Sequence, residues 1–321
     1  MSPNRVSTLE FPSTPLLPRT CEVQVPQPPS YVLTAITAGS PSRTSFTVTS
    51  IVNCITEREK GMRRVFRVNV SSEAFQEPRQ LICKVALGRR WFTPLQDEAL
   101  LYEGKLKPLQ GTVVPRYYGF FAGDTYKGKT GIMILEDCGQ PASGFIYHQP
   151  FWFRKLVLKA LVAVHRVGIV FQDPMASLEN NVVVQYDSAS NKHVPRFIAF
   201  SMTNVMAHHH NCQYESDDVE IDEGTPEPKL GDVSCQNLWR AFLATDLFSR
   251  PDVYVLGKRI PSEYATDVET LKAHVNASSS NDGSQSEFNR VVFERRDWLK
   301  EREMYGHCAI ELSSFTRDAA Y

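Results

Sequence analysis

Lys84, Glu98, Asp173 and the neighbours Asn180 and Asn181 are the residues whose types and spacing could do chemistry in this chain. Lys84 lies in LICKVAL, where strand alternation sets Leu81, Cys83, Val85 and Leu87 on one face and Ile82, Lys84 and Ala86 on the other. An ammonium with apolar neighbours on its own face either snorkels to water at a sheet edge or is held for an anion. Glu98 borders the apolar stripe of a helix that should follow. Packed beside the strand, it would pair with Lys84 and hold the ammonium ready for a phosphate; unpaired, it is a solvated helix-face carboxylate. In HRVGIVFQDPMASLENNVVV, residues 165 to 184, an isolated Asp173 follows a short apolar run, and Asn180 and Asn181 lead into a buried strand. An Asp can orient or deprotonate an acceptor hydroxyl while an Asn a few residues later holds a metal; the same residue types are also favoured in plain turns.

A sixth position matters for what it lacks. The run PRFIAFS, residues 195 to 201, stops at a serine and offers Ala199, a methyl group where a strand end facing a site would carry a polar group. Two further stretches invite readings that their context does not support. AHHHNC, residues 207 to 212, has transition-metal ligand types, but adjacent histidines cannot all face one ion and no other ligands accompany them. The acidic run YESDDVEIDEGTPEPK, residues 214 to 229, has almost no core residues and reads as a solvated loop.

The elements that must position these residues are legible in outline. Residues 1 to 30, with Pro at 3, 12, 15, 18, 26, 28 and 29, read as a disordered tail. TSFTVTSIVNC, RRVFRVNVS and RQLICKVAL read as strands of an antiparallel meander. A helix is predicted over 94–107, with Thr93 as N-cap, Pro94 at its first position and Gln96 completing a capping box; Leu95, Ala99, Tyr102 and Leu106 form its buried stripe. VPRYYGFFAG and KTGIMILEDCG add two strands. Past Cys138, FWFRKLVLKALVAVHR is a deeply packed helix ended by Gly168, and NNVVVQY and PRFIAFS are short strands. QNLWRAFLATDLF, SEYATDVETLKAHV and FNRVVFERRDWLKERE read as helices, with a flexible linker at 276–286. The fold class this predicts is α+β and two-lobed: a small antiparallel β N-lobe with one helix over 31–138, and a mainly helical C-lobe over 139–321.

Composition narrows the partners. A net charge of -1 over 321 residues leaves no basic excess for nucleic acid or an anionic membrane. No apolar run approaches the ~20 residues of a membrane span, and the first residues lack a signal-peptide core, so an intracellular, cytoplasmic location is expected. The seven cysteines are scattered without a Cys-x-x-Cys pair and read as reduced thiols.

Taken together, the stretch from Lys84 to Phe200 resembles the protein-kinase-like superfamily, and is similar to divergent kinase-like proteins of mushroom-forming fungi. The likeness covers roughly 44–250 and lies in the order of elements. It implies that Lys84 contacts the α- and β-phosphates of ATP, that Glu98 anchors Lys84, and that Asp173 is the catalytic base. It also implies that Asn180 or Asn181 holds magnesium and that backbone groups of Glu136, Asp137 and Cys138 hold adenine. The chain departs from the family pattern at several points. The glycine-rich phosphate loop is reduced to Gly61, Phe171 replaces the histidine of the catalytic motif, and Asp173 stands seven or eight residues from the asparagines rather than about five. The family's metal-holding aspartate is Ala199, and a methyl cannot ligate a hard cation. The resemblance therefore implies a pseudokinase, acting by binding or scaffolding with a protein partner. The alternatives are an active ATP-dependent phosphotransferase on protein or small-molecule hydroxyls, and a plain interaction domain in which Lys84 and Glu98 lie far apart.

Overall fold

The computed structural model describes residues 7–17, 28–36, 44–142, 149–187, 192–201, 204–207, 235–248, 252–275 and 282–307, with the single positions 26, 146, 227 and 233. Seven strands close into a barrel: β1 (Thr8–Pro12), β2 (Ser30–Ala35), β3 (Ser45–Arg58), β4 (Arg63–Ser72), β5 (Arg79–Leu87), β6 (Tyr117–Thr125) and β7 (Gly128–Glu136). Their order around it is β1-β2-β6-β7-β5-β4-β3, closed by a parallel pairing of β1 with β3 across Thr8–Ser45, Leu9–Phe46 and Glu10–Thr47. The predicted two-lobed arrangement with an open antiparallel sheet and a mainly helical second half is thus corrected. The first half is a closed barrel, and the chain beyond residue 139 adds β8 (Gln140–Pro141), β9 (Ile169–Phe171), β10 (Val182–Asp187), β11 (Lys192–Phe197), β12 (Val205–Ala207), β13 (Asp252–Val255) and β14 (Lys258–Pro261).

Closure depends on the segment read as a disordered tail. Proline density hides the alternation of Leu9 and Phe11, yet both side chains are fully buried in the barrel, together with Leu16. Phe11 packs its ring on Phe66 at 6.1 Å. Pro12 sits at the last position of β1, where no further ladder donor is needed. Arg64 points to the same end of the barrel, where its Nη1 donates to the carbonyls of Pro15 (2.5 Å) and Leu17 (3.1 Å).

Strand β3 is irregular. Its pairing with β4 slips by one residue between Val48 and Ser50, between Ile51 and Asn53, and between Cys54 and Thr56, so Thr49, Val52 and Ile55 are inserted residues. Among the described residues, β1 pairs only with Ser45–Thr47 of this strand, leaving Thr49 onward with β4 alone.

Helix α1 (Arg89–Glu103) begins earlier than the capping box at Thr93 predicts. Gly88, at φ 80°, starts it: the amides of Trp91 and Phe92 both donate to the Gly88 carbonyl. Pro94 therefore sits inside the helix, where its missing N–H removes the donor that would meet the Arg90 carbonyl one turn earlier. The earlier start adds Phe92 to the buried stripe beside Ala99 and Tyr102. Helix α2 (Phe151–Arg166) has the predicted bounds, with Gly168 at φ 74° beyond it. Then follow α3 (Pro174–Asn180), α4 (Gln236–Ala244), α5 (Val268–Val275) and α6 (Asp282–His307). The predicted linker at 276–286 thus passes into helix from Asp282 onward. The histidine cluster from residue 208 and the acidic run, Glu227 apart, lie outside the described residues.

Three hydrophobic clusters organise the described residues. One fills the barrel, one lies between its outer face, α1, α2 and α4, and a small one joins β13, β14, α5 and α6. Among the described residues, no helix is long and apolar enough to cross a membrane.

Candidate functional site

Strand β5 has the predicted register. Leu81, Cys83, Val85 and Leu87 point into the barrel, which leaves Lys84 on the outer face against which α1 packs. Burial in that interior pushes the Cys83 thiol well above its ordinary range, so it is an inert core residue. One turn into α1 from Pro94, Glu98 faces the same surface and is 5% exposed. The Lys84 Nζ donates to Glu98 Oε1 at 2.7 Å. This distance removes the reading in which the two are far apart, and the burial removes that of a solvated carboxylate.

The same Glu98 oxygen accepts a second hydrogen bond, from the buried Phe200 amide at 3.0 Å. One carboxylate therefore ties three elements together: β5 through Lys84, α1 through its own backbone, and the segment after β11 through Phe200. Ala199, next to that amide, has φ 63°, a left-handed conformation that costs a residue with a Cβ about 1–2 kcal/mol. The Asn204 side chain donates to the Ala199 carbonyl at 2.9 Å, and the Asn204 amide to Ser201 O at 2.8 Å, so the turn is held from within. Phe200 is fully buried, with Tyr102 at 5.9 Å and Phe171 at 5.6 Å between ring centres. Phe171 also meets Phe197 at 5.3 Å and is itself part of the core. Tyr102 brings a buried hydroxyl into this packing that has no hydrogen-bond partner among the described residues. Burial above all, then the Glu98 carboxylate and Cys138, raise its pKa well above the usual phenol range.

Asp173 is exposed, and its Oδ1 accepts from the Ala176 amide at 3.2 Å as the N-cap of α3. Asn180 is committed to the other end of that helix, its Nδ2 donating to the Ala176 carbonyl at 2.8 Å. Asn181 is buried, and its carbonyl accepts from the Ile198 amide at 2.8 Å, which sets it beside the Ala199 turn. Of the two predicted metal positions, Asn181 is the one brought to the site. Oxygen ligands for a hard cation are sparse here: Ala199 has no side-chain oxygen and its carbonyl takes Asn204, Glu98 Oε1 already takes two donors, and the described residues contain no cluster of three His, Cys, Asp or Glu.

Glu136 is the last residue of β7, and Asp137 and Cys138 follow it out of the barrel. Glu136 Oε2 accepts from the Arg116 amide at 3.0 Å, while Cys138 is buried and its thiol pushed up to about 12, by burial first and then by Glu136. Asp137 takes a two-pronged contact from Arg67 on β4, Nε to Oδ2 at 2.5 Å and Nη2 to Oδ1 at 3.2 Å. Arg67 Nη2 also donates to the Gly139 carbonyl at 2.9 Å, and the Gly139 amide donates to Asp137 Oδ1 at 3.1 Å. Gly139, at φ 90°, runs so close to β10 that a Cβ would lie 2.2 Å from the Val184 carbonyl oxygen. Sequence reading misses Arg67, whose only signal is a guanidinium between half-buried Val65 and Asn69 on the outer face of RRVFRVNV. It also misses the Phe200 amide, which a sequence cannot mark.

No family model matches the chain, and no curated protein matches it.

Proposed function

We propose that this chain is a pseudokinase in the functional sense: a catalytically impaired, protein-kinase-like phosphotransfer site kept for binding or scaffolding. The proposal concerns the site residues and not the architecture, which is the closed barrel described above. One observation carries it: Glu98 Oε1 takes both Lys84 Nζ and the Phe200 amide, joining the lysine strand, the helix and the Ala199 turn at a single buried atom. A lysine fixed by a buried carboxylate is a preorganised partner for an anion, since little side-chain freedom remains to be lost on binding.

The same geometry supports the impairment. Ala199 presents a methyl at the turn, and Asp173 and Asn180 are engaged in capping α3, so neither is directed at a shared reacting centre. Without a carboxylate for the metal, phosphoryl transfer lacks a contribution of several kcal/mol to its transition state. Binding through Lys84 needs no metal.

A thermal-shift titration with ATP, run with and without magnesium beside a radiolabel transfer assay, tests this. The expected result is a modest ATP-dependent shift that is indifferent to magnesium, lost in Lys84→Met, and accompanied by no transfer. Robust magnesium-dependent transfer abolished by Asp173→Ala would establish an active phosphotransferase instead.

A further inference from the structure

Strand β5 lies between β7 and β4, and Arg67 pairs with Ile82 while Ile82 pairs with Leu135. An ion pair from Arg67 on β4 to Asp137, just past β7, therefore crosses the outer face of β5, a span of two strand spacings or about 10 Å between backbones. Lys84 is two residues along β5 from Ile82 and opens to the same face. The contact is well made: three hydrogen bonds from one guanidinium, with Arg67 and Asp137 side chains 11% and 10% exposed. It also uses up Gly139, whose carbonyl takes Arg67 and whose amide is turned to Asp137.

We infer that the Arg67–Asp137 pair is an autoinhibitory latch: closed, it straps the face beside Lys84 and holds the chain at 137–139 away from ligands. This rests on the binding reading of the site proposed above. The strap is not required by the core, because β4 fills the barrel with Phe66, Val68 and Val70 from its opposite face. Its position is what matters. A ligand that lays a phosphate on Lys84 and a planar ring edge along the backbone at 136–138 must cross the place where the guanidinium lies. Opening the latch exchanges a nearly desolvated fork of charge-assisted bonds for ligand contacts, so the closed pair subtracts from the observed affinity.

The test is calorimetric titration of ATP, without metal, into the full chain and its variants. Arg67→Ala is expected to tighten ATP about tenfold relative to the unmodified protein, equivalent to about 1.4 kcal/mol. Asp137→Asn, which keeps the side-chain shape and removes the charge, should shift affinity the same way and serves if Arg67→Ala fails to fold. Combining either with Lys84→Met should abolish the gain. Equal, Lys84-dependent affinity in all latched and unlatched forms would overturn the latch while leaving the binding site standing. No Lys84-dependent binding in any variant would overturn both, since a strap over an unused face gates nothing.

Discussion

Removing the Glu98 carboxylate should damage stability in two separable ways. In Glu98→Ala, Lys84, only 14% exposed, loses its partner, and breaking a buried ion pair from one side costs about 3–5 kcal/mol. The buried Phe200 amide loses its acceptor as well, a further cost of about 1–3 kcal/mol for an orphaned donor. Both donors use one oxygen, and Lys84 regains some water once the pocket loosens, so the losses overlap and a total of about 4 kcal/mol is expected. Glu98→Gln keeps an oxygen for Phe200 and removes only the charge, so about 2–3 kcal/mol is expected. Lys84→Met/Glu98→Gln leaves no buried charge and should recover most of that loss. Urea unfolding of the four proteins of this cycle gives the coupling energy, expected above about 1.5 kcal/mol, and amide exchange at Phe200 gives the second effect. The reasoning is refuted by a coupling below about 0.5 kcal/mol, or by unchanged Phe200 exchange in Glu98→Ala.

Three further outcomes are expected. Phe11→Ala should cost about 3–5 kcal/mol in denaturant unfolding, as for any fully buried aromatic, whereas a residue in a loose tail would cost almost nothing; the experiment therefore reports directly on barrel closure. Tyr102→Phe should be neutral or stabilising by up to about 1 kcal/mol, because it deletes a buried hydroxyl that has no partner among the described residues; a loss of more than that would mean the hydroxyl is bonded. With its pKa near 12, Cys138 holds about one thiolate in ten thousand molecules at pH 8, so peptide mapping after brief maleimide treatment of the native protein should find it unlabelled and labelling should appear on denaturation.

The parts of this site that could be read in advance are those set by local periodicity. The two-residue repeat of a strand assigned the faces of LICKVAL without reference to anything else in the chain, and the 3.6-residue repeat gave the bounds of α2. Capping signals were less reliable: Thr93, Pro94 and Gln96 form a persuasive box, but Gly88 offers an earlier start that buries Phe92, and tertiary packing outweighs a cap of about 1 kcal/mol. The β13–β14 hairpin was read over, although Leu256 and Gly257, with φ of 49° and 73°, form the two-residue turn that DVYVLGKRIP encodes. Burial of Glu98, its bond to an amide 102 residues away, and the reach of Arg67 to Asp137 across 70 residues depend on which elements meet. Nothing in a single sequence marks those encounters. The stretch around Asp173 reads in isolation more readily as a plain turn than as a site, and the hydrogen bond that Asp173 accepts from the Ala176 amide is the local chemistry such a turn residue supplies.

The three inserted residues of β3 have a consequence for how the molecule behaves among its own copies. A fourteen-residue strand with one side paired, among the described residues, over only three positions, and carrying Val52 and Ile55 at 47% and 39% exposure, would ordinarily be a template for aggregation. A flat strand from another chain needs an unbroken ladder, and here the spacing of donors and acceptors changes at Thr49, Val52 and Ile55, once every three residues. An incoming strand would lose register before it had formed two or three consecutive bonds. The irregularity that looks like a defect in the barrel wall thus keeps its longest edge from recruiting a neighbour.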